Sequence, residues 1–127
     1  MRRAAILVVA AAGMAFSAGV SGCRDQDEPS VRVTGGSPSL GAKAIRHYGC
    51  GSCHTIPGIK GADALVGPPL VHFSKRSYVA GELTNTPANL ARWISDPQSV
   101  EPGTVMPDLD VTPTDARNIA AYLLSLR

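Results

Sequence analysis

The sequence predicts a small all-α fold, with about three main helices and loops wrapped around a centre that side chains alone do not fill. Three observations carry this expectation. Three stretches place apolar residues at helical spacing, and no segment sustains the period-two alternation of a half-buried strand. The 127 residues suffice for one domain and scarcely for two. Aromatic residues make up 5% of a chain that is 44% hydrophobic, so the rings that usually fill a core are scarce. The formal charge is +2 with no basic run, which gives no electrostatic case for binding nucleic acid. Three cysteines, an odd number, argue against a simple disulfide framework.

Residues 1–22 stand apart from the fold. Arg2 and Arg3 precede an uncharged run from Ala4 to Val20, and Ser21-Gly22-Cys23 follows. A basic start, an apolar stretch and small residues at the junction describe an export signal. The run is 17 residues long, at the lower limit for crossing a bilayer, so an uncleaved anchor helix is the alternative. Val20-Ser21-Gly22-Cys23 resembles the lipobox of bacterial lipoprotein precursors. That resemblance implies cleavage before Cys23 and acylation of its thiol and of the new N-terminus. Two or more acyl chains anchor stably where one is marginal. Residues 24–38 are rich in Asp, Ser, Gly and Pro and read as a flexible tether, whose full extension is on the order of 50 Å. The domain is then 39–127. Without Arg2 and Arg3, ten basic residues face ten acidic ones.

The helices follow in order. Ser39 is expected to cap a helix from Leu40 to about Tyr48, with Gly41, Ile45 and Tyr48 on one side. Thr86-Pro87 joins a cap to a first-turn proline. Leu90, Trp93 and Ile94 continue that helix, and Asp96-Pro97 ends it. The last helix is expected from Thr114 to Arg127, with Asp115 near its start, so both charges favour its dipole. Ile119, Tyr122, Leu123 and Leu126 form its apolar stripe.

Cys50-Gly51-Ser52-Cys53-His54 is the attachment pattern for c-type haem. Each thiol adds across a haem vinyl group to form a thioether. The two-residue spacer matches the separation of the vinyls, and His54 then lies under the iron as an axial ligand. A zinc site expects four ligands, and His47 and His72 supply no second close pair. A redox Cys-x-x-Cys expects a βαβ setting that this chain does not show. Haem also accounts for the few aromatics, because a large flat apolar body becomes the core.

Met106 is the candidate for the second axial position. It lies in a stretch, Glu101 to Pro107, marked as a loop by two prolines and a glycine. A methionine there makes odd core filler, but its thioether reaches an iron if the loop folds over the haem. Histidine–methionine ligation raises the reduction potential and suits electron transfer. His72 is the alternative ligand, and plain packing is the alternative role for Met106.

From Gly41 to Leu126 the chain resembles a class I cytochrome c. The resemblance rests on the Cys-x-x-Cys-His, on Gly67-Pro68-Pro69-Leu70, and on Leu90 and Trp93. It continues through Pro102-Gly103-Thr104-Val105-Met106 to Ala121-Tyr122-Leu123. The stretch from Val66 to Met106 most resembles the cytochrome c domain fused to subunit II of some haem–copper oxidases, and only that haem module carries over. The resemblance implies that the Pro68 carbonyl accepts the His54 Nδ1–H bond and that Leu70 presses on the ring. It implies that Arg76 donates to a haem propionate with Tyr78 nearby, and that Trp93 lies beside the methionine. It also implies that Gly41 and Tyr122 meet where the first and last helices cross.

The expected function is one-electron transfer by a single covalent haem c, from a tether on the periplasmic side of a membrane in a respiratory chain. With both axial positions filled and no acid–base constellation, no enzyme activity and no small-molecule substrate are expected. The partners are a redox donor and acceptor. The alternative is a dedicated electron-entry subunit of a membrane oxidase or dehydrogenase. A haem-based gas sensor and a peroxide-cleaving enzyme are further readings. Partner docking is expected at the haem edge, around Cys50, Ile56 and Pro107.

Overall fold

The computed structural model describes residues 32–127; the export signal, Cys23 and the start of the tether lie outside the described residues. All four α-helices among the described residues open on the same two-residue signal, a capping side chain followed by proline. Proline's fixed φ suits the first helical position, where its missing N–H costs nothing, so the cap falls on the residue before it.

Helix α1 therefore spans Pro38–His47 with Ser37 as its cap, not Ser39. The Ser37 N–H donates to Asn118 Oδ1 at 2.9 Å. A Cβ on Gly36 would lie 2.7 Å from the Arg117 carbonyl oxygen, so the backbone there presses directly on the last helix. Val33 packs against the core. The end of the stretch assigned to the tether is thus part of the packed domain, which starts near Val33. The polar composition of this segment hides contacts that its backbone makes.

Helix α2 spans Pro87–Ser95, and Thr86 accepts from the Asn89 N–H at 3.2 Å, as the sequence led us to expect. Asp96 ends it and at once caps a further single turn, α3, Pro97–Val100. Between the first two helices lies a hairpin of two-residue strands, β1 Tyr78–Val79 and β2 Leu83–Thr84, paired antiparallel. Left-handed backbone at Ala80 and Gly81 turns the chain between them. Two residues per strand are too few to leave an alternation in the sequence.

Helix α4 spans Pro113–Leu124, capped by Thr112 and not started at Thr114. It stops short of Arg127: the Ser125 and Leu126 N–H groups bond back three residues, to the Tyr122 and Leu123 carbonyls, at 3.0 and 3.1 Å. The Leu126 carbonyl accepts from the Ser74 backbone N–H at 3.1 Å and from the Ser74 hydroxyl at 2.8 Å.

Helices α1 and α4 cross at Gly41. A Cβ there would sit 2.7 Å from the Asn118 carbonyl carbon and 2.9 Å from Tyr122 Cβ. Tyr122 continues past the crossing, and its hydroxyl donates to the Pro57 carbonyl at 2.6 Å. Gly41→Ala is expected to cost about 1–3 kcal/mol by overpacking. A urea unfolding midpoint equal to wild type would show that the helices separate without strain.

The core is a shell. Ile45, Leu90, Ile94, Ile119 and Leu123 come from three helices and are all buried, yet each also lines one open cleft. No helix among the described residues is long and apolar enough to cross a membrane.

Candidate haem site

The cleft begins where α1 ends. Gly49 takes a left-handed conformation, φ 69°, and swings the chain into a single tight turn over Cys50–Ser52. The Cys53 and His54 N–H groups both bond to the Cys50 carbonyl, at 3.3 and 3.1 Å, and the Ser52 hydroxyl donates to the Gly49 carbonyl at 2.8 Å. This local winding puts Cys50, Cys53 and His54 on one wall. Neither cysteine is in a disulfide. Burial pushes the Cys50 thiol above its ordinary range; a backbone hydrogen bond opposes this and Cys53 adds to it.

A strap from Val66 to Leu70 holds the imidazole. Gly67 N–H donates to the Cys53 carbonyl at 2.7 Å and Leu70 N–H to the Thr55 carbonyl at 2.8 Å. His54 Nδ1 lies 2.8 Å from the Pro68 carbonyl oxygen. A carbonyl only accepts, so Nδ1 carries the proton and Nε2 keeps its lone pair for a metal. Gly67 is required by this approach. A Cβ there would lie 2.8 Å from His54 Nδ1 and 3.1 Å from Nε2.

The cleft measures about 440 Å³. Pro68, Leu70, Arg76, Tyr78, Trp93 and Met106 all line it along with the attachment motif. His72 is exposed and is not among its walls. The Arg76 guanidinium stacks 4.9 Å from the Phe73 ring centroid and donates through Nη2 to the Pro69 carbonyl, so it braces the strap from the cleft's edge. Tyr78 is 60% exposed at the rim.

Ile56 is buried at 2% exposure and therefore belongs to the wall, not to a docking face. Two aliphatic side chains at the mouth are strongly exposed, Val66 at 77% and Val105 at 94%. Nothing in the sequence marks either as exposed, although each adjoins a motif residue. Nor does anything there mark Gly67's contact with the imidazole, or the role of Asn85. The Asn85 amide donates to the Phe73 and Arg76 carbonyls, both at 3.0 Å, and ties the turn that carries Arg76.

Two thiols, a metal-ready imidazole and a thioether around one apolar cleft fit a covalently held haem. The hydrophobic core residues that face the cleft match the apolar faces of such a group.

Comparison with known proteins agrees. Cytochrome c oxidase subunit 2 of Alkalihalophilus pseudofirmus is 38% identical over 88 residues, which cover 68% of this chain and 25% of that protein. Cytochrome c oxidase subunit 2 of Bacillus sp. (strain PS3) is 32% identical over 89 residues, 67% of this chain and 25% of that protein. The same subunit of Bacillus subtilis is 32% identical over 84 residues, 65% of this chain and 24% of that protein. The chain thus spans about a quarter of the length of these relatives. No solved structure matches it. The family model for Cytochrome c matches residues 39–127, from the first turn of α1 to the last residue. A match that takes in the whole cleft places this chain in the cytochrome c family, the electron-transfer proteins that carry a covalent haem c with its iron.

Proposed function

We propose that this chain is a one-electron carrier with His54 and Met106 as axial ligands, Cys50 and Cys53 as thioether links, and lipidated Cys23 as a periplasmic membrane anchor. The observation that supports it is the shared cleft of His54 and Met106, with the imidazole's tautomer set by the Pro68 carbonyl. Bound haem supplies an iron that gains and loses one electron. The chain's own residues do the rest. The Pro68 carbonyl orients His54 and makes Nε2 a better donor. The Met106 thioether, a soft ligand, favours the reduced state and raises the potential. The largely apolar walls of the cleft suit the faces of the haem, and a ligand pair kept in both oxidation states would need little rearrangement. Filled axial positions leave no place for a substrate, which is the reason for reading a carrier and not an enzyme.

A packed domain that starts near Val33 shortens the tether. From Arg24 to Arg32 it has nine residues, and full extension is then roughly 30 Å. This reach suits neighbours in the same membrane and raises the local concentration of the haem beside them. The second reading, an electron-entry subunit of a membrane oxidase, is favoured by the relatives, which are all oxidase subunits.

The carrier reading expects a reversible one-electron titration and, in the reduced wild-type protein at neutral pH, no rapid binding of carbon monoxide. Rapid binding would favour the gas sensor. Peroxide turnover would favour the enzyme. Cys23→Ala is expected to stop lipidation and processing at that site, read by mass spectrometry as a chain that keeps residues 1–22 and carries no acyl groups. Stable co-purification of wild-type protein with an oxidase at native abundance would favour the subunit over the free carrier.

A further inference from the structure

The loop that carries Met106 has little packing of its own. Val105 is 94% exposed, and a Cβ on Gly103 would meet nothing within 4 Å. Within the loop, Thr104 N–H reaches the Glu101 carbonyl at 3.1 Å, and Met106 N–H reaches the Thr104 hydroxyl only at 3.5 Å. One side chain outside it makes three further bonds to its backbone. Gln98 Nε2 donates to the Thr104 carbonyl at 2.9 Å and to the Met106 carbonyl at 3.0 Å. Gln98 Oε1 accepts from the Gly103 N–H at 3.1 Å. Both amide hydrogens are used, one for each carbonyl. The amide has one workable orientation, because a flip would set its oxygen against two carbonyls and its NH2 against an N–H.

Gln98 is itself well placed to act as a fixed point. It follows Pro97, which is buried, and its turn is closed by Asp96. The Asp96 carboxylate accepts the Ser99 N–H at 3.0 Å, and its carbonyl accepts the Ser99 hydroxyl at 3.0 Å. The firm core of α2 thereby passes, through Asp96, Pro97 and Gln98, to the backbone of the ligand loop.

We infer that Gln98 is the positioning residue for Met106. It does not line the cleft. It holds the carbonyls of Thr104 and Met106 so that the thioether between them stays in the cleft, and it slows the loop's departure when another ligand competes for the iron. The inference rests on Met106 being an axial ligand.

The test uses the full-length holoprotein in wild type, Gln98→Ala and Gln98→Met. The methionine variant keeps the side chain's length and removes its hydrogen bonds. Three quantities are read: the far-red sulfur-to-iron charge-transfer band of the oxidised protein, the affinity of the oxidised protein for added imidazole, and the urea midpoint of the helical circular dichroism. Imidazole is expected to bind about tenfold more tightly in both variants, the effect of losing a net hydrogen bond or two from the state that holds Met106. The band is expected to bleach at correspondingly lower imidazole, with the urea midpoint close to wild type. Unchanged imidazole affinity in both variants, while wild type shows the band, overturns the role of Gln98 and leaves Met106 as ligand. A fall in the urea midpoint that accounts for the whole change in affinity overturns it too, because Gln98 would then support the fold and not the ligand. A wild type without the band, whose imidazole affinity Met106→Ala does not alter, removes the ligand reading and this inference with it.

Discussion

The Cys50→Ala, Cys53→Ala double variant, exported alongside wild type, is expected to carry no haem after denaturing electrophoresis and to lose most of its helical signal. The first result follows from the thioethers, which alone survive denaturation. The second follows from the shape of the core. Ile45, Leu90, Ile94, Ile119 and Leu123 are buried but open onto a cleft of about 440 Å³. Without haem, water reaches their inner faces. Leaving a side chain of this size exposed forfeits about 1.5–3 kcal/mol. Partial loss over five of them rivals the ~5–15 kcal/mol that keeps a domain folded. Either single variant keeps one thioether and is expected to retain haem and fold with reduced stability. Far-UV circular dichroism and urea unfolding check this. A cooperative transition near the wild-type midpoint in the haem-free double variant would mean that side chains close the core unaided.

Met106→Ala is expected to convert a sealed iron into an open one with little change in fold. Met106 is half-buried on a loop whose backbone is held through Gln98 and not through the methionine side chain. On the proposed ligation, its removal would take away the sulfur ligand and leave His54 braced on Pro68. The far-red band should disappear, and the reduced protein should bind carbon monoxide stoichiometrically where wild type does not. The reduction potential should fall by more than about 59 mV, the shift equal to one decade in a one-electron equilibrium. Optical titration and carbon monoxide difference spectra check both. A variant that keeps the wild-type potential and stays closed to carbon monoxide would show that Met106 only packs against the cleft.

What could be read directly from the chain is what its chemistry places within a few residues. Cys50-x-x-Cys53-His54 carries its meaning in its spacing, because one turn of backbone is enough to bring two thiols and an imidazole to one wall. Thr86-Pro87 opened α2 where expected, because a cap and a first-turn proline act on the next few N–H groups only. The same pair stands at Ser37-Pro38 and Thr112-Pro113. Those two helices were expected one or two residues late because Ser39 and Thr114 are also passable caps. The proline is the better marker, since it has no donor to give to a helix interior. The resemblance to a cytochrome c reached further, to Pro68 under the imidazole and Gly41 at the helix crossing.

The tertiary structure alone decided the features that depend on partners far along the chain. Val33 to Ser37 looks like tether by composition. It is packed because Asn118, far along the chain on α4, accepts the Ser37 N–H. Helix α4 ends at Leu124, and beyond it Ser74, distant in sequence, holds the Leu126 carbonyl. Ile56 looks available for docking and is buried, while Val105, beside Met106, is almost wholly exposed. Gln98 reads as an ordinary polar residue until the loop beyond it folds back over its amide. Local signals specify where a backbone turns, since capping and dihedral preferences act within about one turn of helix. Burial and the pairing of distant donors and acceptors are set only when all the elements meet, so no short stretch of this sequence contains them.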